Sequence, residues 1–373
     1  MKRKVGITGK NGFIGYHLYQ QIKYTYHEFE LIEFERSYFD DESKLDHFVR
    51  QCDVIVHLAA VNRLENQEKL YDINISLALK LIDSLFRTEA HCHVIISSSI
   101  QEERDNQYGA SKRESRELFS NWANQTKSNF TGMIIPNVFG PFALPFYNSV
   151  VATFCHQLTH NELPQIDVNA KLSLIYVGDL VREIIERIQK KDNTHKYEVK
   201  PVTIQKVSEI LKVLKTFKDT YLDCGEVPEL NSNYHLQLFN TFRSYIDLKT
   251  YYPKRLLEHK DNRGSFVEII RNGTSGQTSY STTLPEITRG NHFHTRKIER
   301  FTVIQGKALI QLRRIGTRDV VNFELDGDQP SFVDMPIWCT HNIKNIGESA
   351  LLTVFWINEP FDPVDPDTYF EIV

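Results

Sequence analysis

The chain contains no run of about 18 consecutive apolar residues, the length a helix needs to cross a bilayer, so no transmembrane helix is expected. Cysteine is scarce. The five present (Cys52, Cys92, Cys155, Cys224 and Cys339) are scattered, odd in number and never spaced CxxC. That usage reads as reduced thiols in a cytoplasmic protein, not as a disulfide framework. Neither charge sign dominates: 44 basic residues face 48 acidic ones, for a net charge of -4. No basic block offers a surface to nucleic acid or to a membrane. Internal repeats and low-complexity tracts are missing too. The opening "MKRKVGITGKNGFIG" is basic, but the apolar stretch behind it is broken by glycines and Asn11. It reads as a first β-strand and not as a signal peptide. What remains is an ordinary soluble composition, 41% hydrophobic and 25% charged over 373 residues, enough for two domains.

In the first half, short apolar strands alternate with helix-length segments: "KVGIT", "FELIEF", "DVIVHLAA", "HVIISSS" and "TGMIIPNVFG". Strands so separated imply β-α-β crossovers and a doubly wound, Rossmann-like α/β parallel sheet covered on both faces. "VSEILKVLKTF" reads as one more helix of that domain. Beyond residue 225 strong periodicity fades, which places the domain junction near 245: residues 1–245 form one domain and 246–373 the other. From "GSFVEII" onward, short strands such as "RFTVIQGKALIQLRR", "VVNFEL" and "ALLTVFWIN" are punctuated by Gly, Asn, Asp and Pro. That texture predicts an all-β sandwich or small barrel.

Gly9, Gly12 and Gly15, with Phe13 and Ile14 between the last two, follow the first strand and open a helical segment. Glycine permits a tight turn and close approach of the backbone to a pyrophosphate seated at the helix N-terminus. At the end of the second strand, Glu35 and Arg36 argue in opposite directions. A carboxylate suits the ribose hydroxyls of NAD and an arginine suits the 2′-phosphate of NADP; the reading favours NADP(H) through Arg36. Downstream, "SSSIQEERDNQYGASK" puts serines at a strand end and then Tyr108 and Lys112 four residues apart, on one helix face. A lysine ammonium and an oxidised nicotinamide beside a phenol favour the phenolate and lower a pKa that is ordinarily about 10. A serine hydroxyl, Ser99 first and Ser98 next, can hold a substrate carbonyl while the tyrosine delivers a proton.

These pieces, with "YDIN", "PNVFGP" and "YVGDLV", resemble the extended short-chain dehydrogenase/reductases that act on sugar nucleotides. The resemblance implies that Asp53, His57, Leu58 and Ala59 line the cofactor. It also implies that Asn74 lies beneath the lysine in a proton relay, and that Asn137 and the stretch around Asn148 approach the substrate.

The second domain carries His292, His294 and Glu299 as HxHxxxxE, then His341 in a PxxxxHxxxN segment. Residues two apart on a strand share a face, so both first imidazoles can reach one ion. Three nitrogens and a carboxylate suit zinc, with nickel, manganese or iron as alternatives. The two motifs resemble those of the cupins, with two departures. Trp338 stands where the second motif usually has glycine, and Glu286 where a glycine is expected six residues before His292. Together with "DNRGSFVEI" and "QTSYSTTLPEITRGNHFH", they resemble cupin epimerases that act beside a 4-keto group of a sugar nucleotide. In such chemistry a metal stabilises the enolate, and Lys297 could contribute its charge.

The whole chain, down to "NSVVATFC", "NEPFDP" and "PDTYFEIV", resembles the bifunctional capsular-polysaccharide enzymes of the CapF type. Their cupin domain epimerises carbon 3 of a UDP-linked 4-keto-6-deoxy-N-acetylhexosamine. Their reductase domain then reduces the ketone with NADPH to UDP-2-acetamido-2,6-dideoxy-β-L-talose, on the way to UDP-N-acetyl-L-fucosamine. Zinc and a homodimer are further implications of that resemblance. Two other readings stay open: a monofunctional reductase whose cupin is a metal-stabilised dimerisation module, and a binding or sensor protein with a degenerate reductase fold.

Overall fold

A computed structural model describes residues 2–191, 193–262 and 264–373. The chain forms two compact units, one of residues 1–153 with 169–207 and one of residues 154–168 with 208–373.

In the first unit, strands β1 (Arg3–Thr8), β2 (Phe29–Ile32), β3 (Val54–His57), β4 (His93–Ser99) and β5 (Phe130–Ile135) are followed by β6 (Asn137–Phe139), β7 (Lys171–Tyr176), β8 (Thr194–Glu198) and β9 (Thr203–Lys206). Six of them form one parallel sheet in the order β2-β1-β3-β4-β5-β8. The other three form a small sheet, β6-β7-β9. Helices α1 (Phe13–Thr25), α2 (Glu42–Gln51), α3 (Gln67–Arg87), α4 (Gln107–Thr126), α5 (Val150–Thr159, whose part from Phe154 on belongs to the second unit) and α6 (Val177–Lys190) alternate with the strands. The two-residue period of a strand explains why the strand segments are apolar throughout. Val54 and Val56 of β3 pack with Leu18 and Ile22 of α1 and with Ile184 and Ile188 of α6, whereas Ile55 packs with Phe48 of α2 and Phe119 and Trp122 of α4. Side-chain caps set several helix starts: Asp41 accepts from Lys44 N, Asn66 from Lys69 N and Asn106 from Gly109 N. Each cap is worth about 1 kcal/mol, and the last one fixes Tyr108 in the first turn of α4.

The strand order reverses about β1, with β2 on one side and β3 on the other. In open parallel sheets a ligand crevice forms at such a switch, outside the carboxyl ends of the strands.

The second unit holds helices α7 (Val207–Phe217, all but its first residue), α8 (Asn233–Arg243) and α9 (Leu248–Tyr251) and the remaining strands. These are β10 (Lys254–Arg255), β11 (Glu258–Asp261), β12 (Gly264–Val267), β13 (Gln277–Thr283), β14 (Thr288–Phe293), β15 (Glu299–Gln305), β16 (Lys307–Arg314), β17 (Val320–Asp326), β18 (Ser331–Met335), β19 (Cys339–Asn345), β20 (Leu351–Ile357) and β21 (Tyr369–Phe370). Two five-stranded antiparallel sheets, β10-β18-β15-β20-β13 and β17-β16-β19-β14-β21, share a core that includes Val303, Val333 and Met335 from one and Ile310, Leu312 and Ile343 from the other.

The division at Val207 comes earlier than the junction expected near 245, and α7 and α8 pack with the second unit. The reason is a buried polar anchor. Tyr221 Oη donates to Asp334 Oδ2 at 2.5 Å, and Arg243 Nη2 donates to Met335 O at 3.1 Å. Both acceptors lie on β18. Asp334 is held in turn by Arg300 at 2.7 and 3.0 Å. The weak periodicity after residue 225 also concealed α8, whose buried Leu238, Phe239 and Phe242 sit beside Phe217 and Tyr221. Among the described residues, no helix is long and apolar enough to cross a membrane.

Candidate active site and metal centre

The glycine loop runs from the carboxyl end of β1 into α1. Gly9 has φ +78°, which a side chain would strain, and a Cβ there would lie 2.8 Å from Ala59 N. A Cβ on Gly15 would lie 2.1 Å from Gly9 O, so loop and helix meet only with glycine at that position. Gly12 is the N-cap of α1 and supplies no side-chain cap, and Phe13 and Ile14 form the first turn. The first-turn N–H groups are thus available to an anion at the helix N-terminus. The loop after β3 closes one wall: Leu58 N donates to Thr8 O at 3.1 Å and Ala59 N to Thr8 Oγ1 at 3.3 Å. This cradle fits a dinucleotide pyrophosphate. Glu35 and Arg36 are both exposed at the turn after β2, where Arg36 is open to a 2′-phosphate.

Two residues expected to line the cofactor do other work. Asp53 lies just before the amino end of β3, across the strand from Gly9, and accepts from Lys4 N at 2.8 Å. Its position follows from strand polarity: cofactor loops leave the carboxyl ends. His57 is buried, with its ring beside Phe39 and Phe119 and its Nδ1 2.9 Å from Thr8 Oγ1. Burial, with the nearby Lys112 charge, pushes its pKa down to about 3, so it is a neutral core imidazole that accepts from Thr8.

At the end of β4 the strand period separates the serines. Ser98 donates to the buried carboxylate of Glu102, which Arg116 grips at 2.9 Å. Ser99 faces the other way, accepts from Gln101 N at 3.2 Å and lies near enough to the Tyr108 phenol to favour its ionised form. Of the two serines considered, the geometry selects Ser99. Lys112 Nζ donates to Ser97 O at 2.9 Å and stands 5.9 Å from the centre of the Tyr108 ring. Burial pushes the phenol of Tyr108 up to about 12, helped by the neighbouring Tyr147 and opposed by Ser99. Burial also brings Lys112 down to about 8, against the pull of Glu102. The expected lowering of the phenol pKa rests on the lysine and an oxidised nicotinamide together; in the protein by itself, burial raises it instead.

The Asn74 side chain bonds to groups other than Lys112. Its amide spans Val61, accepting from N at 2.7 Å and donating to O at 3.0 Å, and also donates to Ser111 Oγ at 3.1 Å. Ser111 in turn donates to Tyr108 O. Asn74 thus ties the loop after β3 to the turn that carries the tyrosine. On the substrate side, Asn137 spends its amide on Ser173 O at 3.1 Å, while Asn148 is exposed in the bend ahead of α5. Two residues with no sequence signal complete this region. Arg63 donates to Phe146 O at 3.1 Å and to Tyr147 O at 2.8 Å, and the Tyr147 hydroxyl accepts from Asn62 N at 3.3 Å.

In the second unit, His292, His294, Glu299 and His341 converge with their ligand atoms all within 4.8 Å of one another. The first two come from β14 and its end, Glu299 opens β15 and His341 lies on β19, paired in register with His292. Glu299 Oε2 is 3.2 Å from both His294 Nε2 and His341 Nε2. These three atoms are buried and not aligned as hydrogen bonds with each other or with other protein groups. The opposite nitrogens are engaged: His294 Nδ1 lies 2.6 Å from Asp367 O, and His341 Nδ1 3.2 Å from Cys339 O. Each ring is therefore held as the Nδ1–H tautomer, with a lone pair on Nε2 directed to the cluster. Buried orphan atoms of this kind fit a borderline divalent ion. Burial, then His341 and His294, bring His292 down to about 4, which keeps it neutral as a ligand must be.

The two missing motif glycines are explained by the backbone. Glu286 has φ +64° and Trp338 φ +59°, so both keep the left-handed turn without glycine. Trp338 N donates to His294 O at 2.7 Å, and its ring stacks on Phe293 at 5.6 Å. Lys297 is buried, with Nζ 5.9 Å from the centre of the Phe361 ring, and its backbone N–H donates to Asp367. Asp367, to which the sequence assigned no role, is the hub of this loop. Of the segment "DNRGSFVEI", Arg263 lies outside the described residues.

Comparison with known proteins agrees with this division. Residues 5–200 match the NAD dependent epimerase/dehydratase family, and residues 259–369 match the polysaccharide biosynthesis C-terminal domain. A UDP-2-acetamido-2,6-beta-L-arabino-hexul-4-ose reductase of Pseudomonas aeruginosa is 33% identical over 369 residues, 98% of each chain. The crystal structure of the capsular polysaccharide assembling protein CapF from Staphylococcus aureus superposes with a TM-score of 0.64 at 35% identity, covering 99% of this chain and 100% of that one. The spore coat polysaccharide biosynthesis protein SpsL of Bacillus subtilis is 25% identical over 126 residues, 31% of this chain and 82% of its own.

Proposed function

Because the chain belongs to the NAD dependent epimerase/dehydratase family and has the architecture of CapF, we propose that it is a bifunctional sugar-nucleotide enzyme of surface-polysaccharide synthesis. Its second domain epimerises carbon 3 of a UDP-linked 4-keto-6-deoxy-N-acetylhexosamine. Its first domain reduces the 4-keto group to give UDP-2-acetamido-2,6-dideoxy-β-L-talose, a precursor of UDP-N-acetyl-L-fucosamine. The observation that carries this reading is the coexistence of two chemistries in one chain: the Ser99–Tyr108–Lys112 constellation and the four-ligand cluster around Glu299. The printed name of the Pseudomonas aeruginosa relative supports the reductase half.

In the first domain, Ser99 holds the carbonyl oxygen of the substrate and Tyr108 gives that oxygen its proton. The reduced nicotinamide, NADPH on the strength of the exposed Arg36, supplies the hydride. Lys112, anchored on Ser97, stabilises the phenolate left behind. The phenol of Tyr108 is protonated at neutral pH, and the charge of Lys112 favours its release of the proton against the burial that raises its pKa.

In the second domain, His292, His294, His341 and Glu299 would hold a divalent ion, zinc on the donor set. Such an ion supplies Lewis acidity, which stabilises the enolate formed beside a ketone. Strands β14, β15 and β19 carry His292, Glu299 and His341, His294 follows the end of β14, and buried Lys297 brings a positive charge to the same loop. The same reading makes the protein a cytoplasmic homodimer with two functional domains, residues 208–245 packing with the second.

Product analysis by NMR with the UDP-linked 4-keto sugar and NADPH tests the whole reading. In deuterated water without NADPH, the metallated protein should place deuterium at carbon 3. Reduction without any such exchange would leave a monofunctional reductase with a structural metal. Cofactor binding without turnover of any keto-sugar nucleotide would leave a sensor.

A further inference from the structure

The ligands His294 and Glu299 flank a turn, residues 295–298, of which Lys297 and Ile298 are buried and Thr295 and Arg296 half-buried, so its backbone donors need partners. One residue far along the chain supplies three of them. The Asp367 carboxylate, 2% exposed, accepts from Thr295 N at 3.1 Å, Arg296 N at 3.0 Å and Lys297 N at 3.0 Å, and from Thr295 Oγ1 at 2.6 Å. The carbonyl oxygen of the same residue receives His294 Nδ1 at 2.6 Å. One side chain shapes the turn, and the backbone beside it sets the tautomer and aim of a ligand ring.

The segment carrying Asp367 is itself tied down on both sides. Arg296 Nη1 donates to Asp365 Oδ1 at 3.1 Å, Glu371 N donates to Asn291 O at 2.9 Å, and Arg313 Nη2 donates to Glu371 Oε1 at 3.0 Å. We propose that Asp367 is the positioning residue of the metal centre: its carboxylate closes the 295–298 turn, and its carbonyl holds His294 with Nε2 toward the ion. This rests on the reading of the cluster as a metal site. A ring held in this way loses less freedom on binding, and removing such an outer partner typically weakens metal affinity 10–100-fold.

Asp367→Asn keeps the shape but turns an amide N–H₂ toward backbone donors, so at least one of them loses its acceptor. The test uses the full chain, stripped with a chelator and titrated with zinc against a chromophoric competitor. Asp367→Asn should bind zinc about 10–100-fold more weakly. Asp365→Ala, which loosens the strap through Arg296 alone, should bind as wild type does. Thermal melts of the metal-free proteins serve as the fold control. If Asp367→Asn fails to fold, Thr295→Val removes only the hydroxyl donor and should weaken zinc in the same direction. The metal-free protein gives a separate readout. In ¹⁵N-histidine NMR at alkaline pH, where the ring is neutral, His294 should be the Nδ1–H tautomer in wild type and a mixture in the variant. Zinc binding equal to wild type, with the tautomer unchanged, would overturn the positioning role. A wild-type protein that takes up no zinc would instead sink the metal reading, and the tautomer measurement would still decide the role of Asp367.

Discussion

Lys112 Nζ stands 5.9 Å from the centre of the Tyr108 ring while it donates to the carbonyl of Ser97. Ser99, two residues on and therefore on the same face of the strand, reaches the phenol itself. One strand end thus holds both partners of the tyrosine. Burial has brought Lys112 down to about 8, with the Glu102 carboxylate opposing the shift. An ammonium with a lowered pKa is lost as pH rises through that value. The kcat for ketone reduction should therefore hold below about pH 8 and fall above it, as measured by NADPH oxidation across pH. Glu102→Gln removes the opposing charge and should move the fall to lower pH. A profile without a break up to the ordinary lysine range near 10 would take the Lys112 charge out of the account.

Ser98 and Ser99 should separate cleanly on substitution. Ser99→Ala removes the group that orients the substrate carbonyl and should cut kcat by on the order of 100-fold with little change in stability. Ser98→Ala removes a donor from Glu102 and should cost about 1 kcal/mol of stability while kcat stays near wild type. Steady-state kinetics and urea midpoints read the two effects. The opposite pattern would assign the catalytic role to Ser98.

Tyr108→Phe deletes the proton donor of the reductase and leaves all four residues of the metal cluster unchanged. NADPH oxidation should fall by at least about 100-fold, while deuterium incorporation at carbon 3 continues at the wild-type rate. Loss of both activities together would contradict two independent sites.

What could be read from the sequence was what local spacing determines. Gly9 and Gly15 stand where only a turn without Cβ fits, Tyr108 and Lys112 share a helix face, and His292 and His294 share a strand face. The misplaced residues are those whose role depends on which end of an element they occupy or on a partner far away. Asp53 shares the apolar run of β3 with Ala59, but strand polarity puts them at opposite edges of the sheet. His57 belongs to that run as well, and the packing of Phe39 and Phe119 makes it core. Asp367 meets Thr295 across 72 positions, and no periodicity reports such a contact. The same holds for Tyr221 and Asp334, whose bond draws α7 and α8 to the second unit.

His57 gives stability a dependence on acid. Its folded pKa, about 3 through burial, lies below the ordinary 6.5. Between those values the unfolded chain takes up a proton that the folded chain refuses. The stability is whole above pH 6.5 and is lost as pH falls toward 3, at about 1.4 kcal/mol per unit. His57→Asn keeps an acceptor for Thr8 but cannot titrate. Urea midpoints at pH 7 and pH 5 should differ less in the variant than in wild type. Equal slopes would show that His57 is not the titrating group.

Trp338 holds a left-handed backbone, φ +59°, at a position where glycine would be free of strain. Two opposed terms meet there. The ring is 5% exposed and stacked on Phe293, so its removal should cost about 3–5 kcal/mol. The backbone strain it tolerates is about 1–2 kcal/mol, so the ring wins and Trp338→Gly should still be destabilised. The informative comparison is between Trp338→Gly and Trp338→Ala. Both lose the ring, and both can keep the bonds from Trp338 N to His294 O and from Ile315 N to Trp338 O. At an ordinary position, alanine is more stable than glycine by about 0.5–1 kcal/mol. Here the order should invert, with glycine ahead by about 1 kcal/mol, because only alanine carries a Cβ into the left-handed region. Chemical melts of the two variants give the sign directly. Alanine equal to or above glycine would mean that the turn relaxes once the ring is gone, and that Trp338 itself imposes the geometry next to His294.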